Sequence, residues 1–178
     1  MKEESTALQV LLYAMHTERL GHHFYIRAAE MTDNESGRNM LYSIASDEEE
    51  HLSILQQEFD ALKATGHWVT LDKALSDKQP SPPPSLFPEE EARVEEMISK
   101  RTSDLDALDI AMDLERRGYE LYQKEAEETS DLTAKSVYNY LAKEENKHFT
   151  LLQNTRNYLA SSGTWLWDDM HPPMLDGA

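Results

Sequence analysis

The sequence predicts an all-α four-helix bundle assembled from two copies of one helical hairpin. Three observations carry this: a helix-favouring composition, an internal repeat, and apolar stripes at helical spacing. The 178 residues include only 6 Gly and 7 Pro. Leu, Ala, Glu and Lys are common, which favours helix over sheet. Shifted by 97 residues, the chain matches itself without a gap, with 18 identities in the 59 positions from 14 to 72. Glu18-Arg19 meets Glu115-Arg116, and Gly21 meets Gly118. Tyr25 meets Tyr122, Glu48 meets Glu145, His51 meets His148, and Gly66 and Trp68 meet Gly163 and Trp165. Self-similarity at a fixed offset is the mark of a duplicated structural unit.

The first helix carries Leu8, Leu11, Met15, Glu18, His22, Tyr25 and Ala29 at alternating spacings of three and four. That is one stripe of a helix packed in a bundle. The second shows Leu41, Ile44, Ala45, Glu48, His51, Leu52 and Leu55. The third repeats the first with Leu105, Leu108, Met112, Glu115, Tyr119, Tyr122 and Ala126. The fourth repeats the second with Tyr138, Leu141, Ala142, Glu145, His148, Phe149 and Leu152. Polar breaks at Thr32-Asp33-Asn34 and Ser130-Asp131 are short, so the helices they join are antiparallel neighbours. Gly66 and Gly163 stand where a helix C-terminus wants a left-handed residue, each with a Trp nearby to pack on the last turn.

The chain reads as one domain. The first hairpin spans 1–65, a crossover 66–103, the second hairpin 104–161 and a C-terminal tail 162–178. Pro80, Pro82, Pro83, Pro84 and Pro88 exclude a continuous helix through the crossover. A short helix is expected from about Glu89 to Lys100. A connector this long runs the length of the bundle and relates the two hairpins by a pseudo-twofold axis. The tail from Trp165 to Ala178 is expected to pack on the bundle or on a neighbouring subunit.

The stripes hold residues that do not belong in an apolar core. Glu18, Glu48, His51, Glu115, Glu145 and His148 all fall on them. Burying an unpaired carboxylate is costly, and four in one layer repel one another. No Lys or Arg lies on the same stripes. Two divalent cations would balance four carboxylates. Glu18 precedes position 33, the middle of the first turn, by 15 residues; Glu48 and His51 follow it by 15 and 18. Folding the hairpin therefore brings the three to one level, and the same holds for Glu115, Glu145 and His148 about position 130. Within Glu-x-x-His the two side chains share a helix face. One such motif is weak evidence inside an acidic run such as Asp47-Glu48-Glu49-Glu50. Its duplication, each copy with a core Glu, points to a metal pair. Oxygen and nitrogen donors fit iron or manganese better than calcium or copper, and zinc remains compatible.

The rest of the composition narrows the function classes. The formal net charge of −17 makes nucleic acid and anionic lipid poor partners. With no cysteine, disulfides, thiolate metal sites and cysteine nucleophiles are excluded. The start shows no signal-peptide pattern and no apolar stretch is long enough to span a membrane, so a cytoplasmic location is expected.

On the six-ligand pattern and the long crossover, the chain from about residue 5 to 161 resembles the rubrerythrin branch of the ferritin-like superfamily. The resemblance implies a di-iron centre. Glu48 and Glu145 would bridge the metals, with Glu18 and His51, and Glu115 and His148, completing the two shells. It implies reduction of hydrogen peroxide or dioxygen as a ferrous centre is oxidised, and a homodimer. Two departures stand out. Rubrerythrins commonly carry a four-cysteine rubredoxin domain, whereas this chain has no cysteine, so a separate electron donor such as a rubredoxin-type protein is expected. They also carry an extra Glu one turn after the third-helix ligand, where this chain has Gly118, mirrored by Gly21. The rival readings are an iron-storage protein with ferroxidase activity and a bundle whose metals are only structural.

Other residues have two readings each. Gly21 and Gly118 face inward and serve either open space over the metals or close helix packing. Tyr25 and Tyr122 are core aromatics that could hydrogen-bond a ligand carboxylate or pass an electron or proton. His22 is better read as a core histidine than as a ligand. His16, His23, His67 and His171 lack symmetric partners and read as surface or loop.

Overall fold

The structure, a computed structural model, describes residues 2–77, 90–99 and 101–165. It contains α1 (Lys2–Met31), α2 (Glu35–Thr65), α3 (Leu71–Ser76), α4 (Glu90–Met97), α5 (Asp104–Glu128) and α6 (Leu132–Ser162). There is no strand among the described residues. The expected all-α ferritin-like bundle is what forms, with α1, α2, α5 and α6 as its four long helices. None of the described helices is long and apolar enough to cross a membrane.

Local chemistry sets the helix ends. Asn34, Ser103 and Asp131 are N-caps whose side chains accept backbone N–H groups of α2, α5 and α6. These groups would otherwise be orphaned in the first turn. Arg38 donates to the carbonyls of Thr32 and Asp33 and so fastens the α1–α2 turn. Gly66 and Gly163 end α2 and α6 at φ 73° and 74°, the left-handed conformation that favours glycine.

Within each hairpin the helices pack along their length, α1 on α2 and α5 on α6. Across the pseudo-twofold, α1 runs antiparallel to α5, since Tyr25 meets Glu115 and Tyr122 meets Glu18. α2 is likewise antiparallel to α6: Thr155 reaches Met40, and His148 reaches Asp47. The end of α1 meets the start of α5 through Thr32 and Asp104. The crossover must therefore travel the length of the bundle. It leaves α2 through α3, where the Gln57 amide donates to the Ala74 carbonyl at 3.0 Å. It returns along α1 through α4, with Arg27 and Glu95 paired at 3.1 Å.

The expected short helix is present as α4, and α3 is an element that the sequence pattern does not announce. The proline run from Pro80 to Pro88, and His171 with the tail beyond Trp165, lie outside the described residues. α4 also breaks the symmetry of the repeat. Leu20 and Phe24 are buried in one cluster with Val94 and Ile98, so α1 has a second covered face. Their repeat partners Arg117 and Leu121 are exposed and half-buried.

The apolar core is in two parts. One cluster holds Phe24, Tyr25, Met40, Ile44, Leu108 and Trp165 at the end where α1 stops. The other holds Leu11, Met15, Leu55, Tyr122, Tyr138 and Leu141 at the opposite end. The buried carboxylates and histidines lie at the level between them.

Candidate metal centre

All six stripe residues arrive in one buried layer, none more than 5% exposed. Each core helix supplies its share: Glu18 from α1, Glu48 and His51 from α2, Glu115 from α5, Glu145 and His148 from α6. Two groups form. One ligand atom from each of Glu18, Glu48, His51 and Glu145 lies within 4.8 Å of the others, and the same holds for Glu48, Glu115, Glu145 and His148. Glu48 and Glu145 belong to both groups, which therefore adjoin through the two carboxylates expected to bridge.

The histidines face inward through Nδ1. His51 Nδ1 lies 3.3 Å from Glu18 and 3.2 Å from Glu145. His148 Nδ1 lies 3.2 Å from Glu48 and 3.3 Å from Glu115. The outer nitrogen of His148, Nε2, sits 3.1 Å from Asp47, a carboxylate that fixes ring orientation as it does for many metal-bound histidines. Asp47 does not stand out in the sequence, where it reads as one more residue of an acidic run. The two imidazole rings stack at 5.7 Å between centroids.

Two tyrosines lock the outer carboxylates across the pseudo-twofold. The Tyr25 hydroxyl donates to Glu115 and the Tyr122 hydroxyl donates to Glu18. Both phenols are fully buried. Burial, then the neighbouring carboxylates, holds their pKa values well above the usual range, so they stay protonated as donors.

The electrostatics are those of a crowded anionic layer. Burial raises the Glu48 and Glu145 carboxyls well above their ordinary value, and repulsion from Glu18 and Glu115 adds to it. Burial also opposes the charged form of Glu18, but hydrogen bonds from His51, Glu48 and Tyr122 outweigh it and leave its pKa lowered. For both histidines burial is likewise outweighed, by carboxylates beside the ring, and their pKa values are raised. The protein alone thus answers its excess of negative charge with protons. Even so, Glu48 Oε1, Glu115 Oε2, Glu145 Oε1 and His148 Nδ1 are buried without a hydrogen-bond partner. Once the protons of the layer are displaced, these inward-facing atoms are all metal-ligand atoms, so the residues fit a metal centre.

Gly21 and Gly118 open no empty space over the layer. A Cβ on Gly21 would stand 3.0 Å from Glu48 Oε2, and one on Gly118 would collide with Glu145 Oε2. Close packing by the shared carboxylates takes that room. His22 is not in the cluster; its Nδ1 lies 2.8 Å from the Ala45 carbonyl and links α1 to α2. His16 and His23 are half-buried and His67 is exposed. Arg19 is buried at 4% exposure, a cation beside Glu18 in the chain that lies off the stripe. Its repeat partner Arg116 is exposed and pairs with Asp113 and Glu120.

Fold and site together define a helical bundle whose buried carboxylate and histidine cluster could hold a metal centre. The rubrerythrin family model matches residues 9–155, and the chain belongs to the rubrerythrin family. No curated protein matches it, and no solved structure does.

Proposed function

We propose that the protein is a di-iron carboxylate oxidoreductase that reduces hydrogen peroxide or dioxygen. The observation that carries this is the pair of adjoining four-residue groups sharing Glu48 and Glu145. Glu18 and His51 would hold one iron, Glu115 and His148 the other, with Glu48 and Glu145 common to both. Iron bound there supplies the electrons that reduce peroxide to water, passing from ferrous to ferric. The rest falls to the chain. Tyr25 and Tyr122 fix the outer carboxylates, Asp47 aims the His148 ring, and the two apolar clusters keep bulk water from the layer. With Gly118 where many relatives carry an extra glutamate, this chain has no carboxylate there to enter or leave the metal shell. Its redox cycle would then run on a constant set of ligands, with electrons supplied by a separate donor.

The test is stopped-flow absorbance of the iron-loaded, reduced protein mixed with peroxide and, separately, with dioxygen. Iron is counted beforehand, and Glu145→Ala serves as control. The expected result is two irons per chain, fast oxidation by peroxide, slow oxidation by dioxygen, and loss of both metal and reaction in the variant. Faster oxidation by dioxygen would assign ferroxidase or oxidase chemistry instead. Wild-type protein without stoichiometric metal would end the di-iron reading.

A further inference from the structure

The second apolar cluster contains a column of aromatic rings that starts at the metal layer and ends at the surface. Tyr122, whose hydroxyl donates to Glu18, stacks on Tyr138 at 6.3 Å between centroids and 24° between planes. Tyr138 meets Trp68 edge to face at 5.5 Å. Tyr122 and Tyr138 are buried, and Trp68 is half-buried. It lies two residues beyond the Gly66 cap of α2. The next residue, Val69, donates its N–H to the buried Glu58 carboxylate at 2.9 Å, which pins this stretch of backbone to α2.

The internal repeat supplies a comparison within the same chain. Tyr25 is the counterpart of Tyr122, but the counterpart of Tyr138 is Leu41. The counterpart of Trp68, Trp165, is buried at 3% exposure and lies on the α2 backbone at Gly37. The same fold is thus packed without a continuous column on one side and with one on the other. Packing alone does not require the aromatic pair at 138 and 68.

We propose that Trp68, Tyr138 and Tyr122 form an electron route from the protein surface to the Glu18 side of the metal centre, and that an external one-electron donor reduces the protein at Trp68. The proposal rests on the di-iron reading above. The electron crosses by tunnelling through the Trp68, Tyr138 and Tyr122 rings, each of which keeps its own electrons and protons. The external donor, such as a reduced low-potential metalloprotein or a viologen dye, is oxidised by one electron, and the oxidised centre would be reduced by one. Each pass moves one electron inward and leaves the column's proton count unchanged.

The test uses the full chain loaded with redox-inert zinc and flash-oxidised by a ruthenium polypyridyl photo-oxidant with a sacrificial acceptor. In the wild type, decay of the tryptophanyl radical should be matched by growth of a tyrosyl radical. Trp68→Leu should abolish that coupled phase. Tyr138→Leu, which copies the other half of the repeat, should clearly slow it, whereas Tyr138→Phe keeps the ring and should transfer at close to the wild-type rate. Trp68 is only half-buried, so Trp68→Leu should cost less than loss of a fully buried ring; shown folded by circular dichroism, it decides the matter if Tyr138→Leu does not fold. A coupled phase that persists in Trp68→Leu, or an unchanged rate in folded Tyr138→Leu, would overturn the route. In iron-loaded protein the same two leucine variants should slow re-reduction by viologen while iron content and oxidation by peroxide stay as in the wild type. The flash measurement reads the column whether or not iron is bound, and the iron count reads the di-iron assignment, so each can fail without the other.

Discussion

Gly118 shows how one missing methyl group can set a site. A Cβ there would run into Glu145 Oε2, with the carboxyl carbon at 3.1 Å, whereas at Gly21 the nearest approach to Glu48 is 3.0 Å. Alanine is the better helix former by about 1 kcal/mol, and the obstructing atoms are the end of a flexible side chain. Gly118→Ala should therefore leave the metal-free fold as stable as before, or more so, while pushing Glu145 out of its shared position. The expected outcome is a clear loss of iron per chain by elemental analysis, larger than for Gly21→Ala; full iron content in Gly118→Ala would mean Glu145 is free to move. Glu58 makes a second case, away from the metal layer. It is fully buried, accepts one N–H from Val69, and leaves Oε1 without a partner. Burial, against the Val69 hydrogen bond and with a small push from Asp131, lifts its pKa from 4.5 to about 7. The folded chain thus holds this proton more tightly than the unfolded one. The stability it contributes is fully present below about 4.5 and is lost as pH rises through about 7. Glu58→Gln keeps an acceptor for Val69 and cannot ionise. Urea melts at about pH 5 and about pH 8 should show a fall in wild-type stability that the variant lacks, of order 1–3 kcal/mol. Equal slopes in both proteins would refute the assignment. Neither residue's role can be read from its letter: Gly118 marks the right place with either of two contents, and Glu58 looks like any exposed charge.

At the scale of elements, the sequence is legible wherever local chemistry decides and opaque where distant packing does. The turns fall where the repeat puts them, because Asn34 and Asp131 can cap only a helix that starts just after them. The two glycine stops hold because positive φ suits that residue. α3 is hidden, since six residues carry too little periodicity to be seen and its place depends on Gln57 reaching Ala74 from another helix. The burial of Leu20 and Phe24 is hidden for a similar reason: α4 covers them, and nothing in α1 itself announces α4. The cap at α6 gives a direct check. Asp131 accepts from both Thr133 and Ala134 at 2.8 and 2.9 Å. Asp131→Ala should cost about 1 kcal/mol in a denaturant melt, with amide exchange quickening first at the start of α6. A change confined to the far end of that helix would count against the cap as the cause.

For the whole molecule, duplication is what makes the site legible in the amino-acid order itself. Two core Glu residues and two Glu-x-x-His motifs at one offset mark the residues that gather in the layer, where Glu48 and Glu145 fall into both groups. The repeat cannot reveal where the two halves differ: Asp47 on His148, Arg19 buried against Arg116 exposed, and Tyr138 in the place of Leu41. The same duplication carries a stability consequence. It puts four carboxylates between two apolar clusters, so the layer opposes folding unless its charge is answered. Protons on Glu48, Glu145 and the histidines are one answer and metal ions are the other. A ligand that binds only the folded state adds about 2.7 kcal/mol when present at a hundred times its dissociation constant. For a chain of this length that corresponds to a rise of roughly 5–10 °C in Tm. Iron-loaded or zinc-loaded protein should therefore melt higher than chelator-treated protein by about that amount. Glu48→Gln with Glu145→Gln should break the relation. It removes the two carboxyls that must otherwise be buried charged or take up protons, so the metal-free variant should be at least as stable as the metal-free wild type, and added metal should raise its Tm little. If the double variant is destabilised without metal, or still gains the full increment with it, the shared carboxylates are not the groups through which metal and fold are linked.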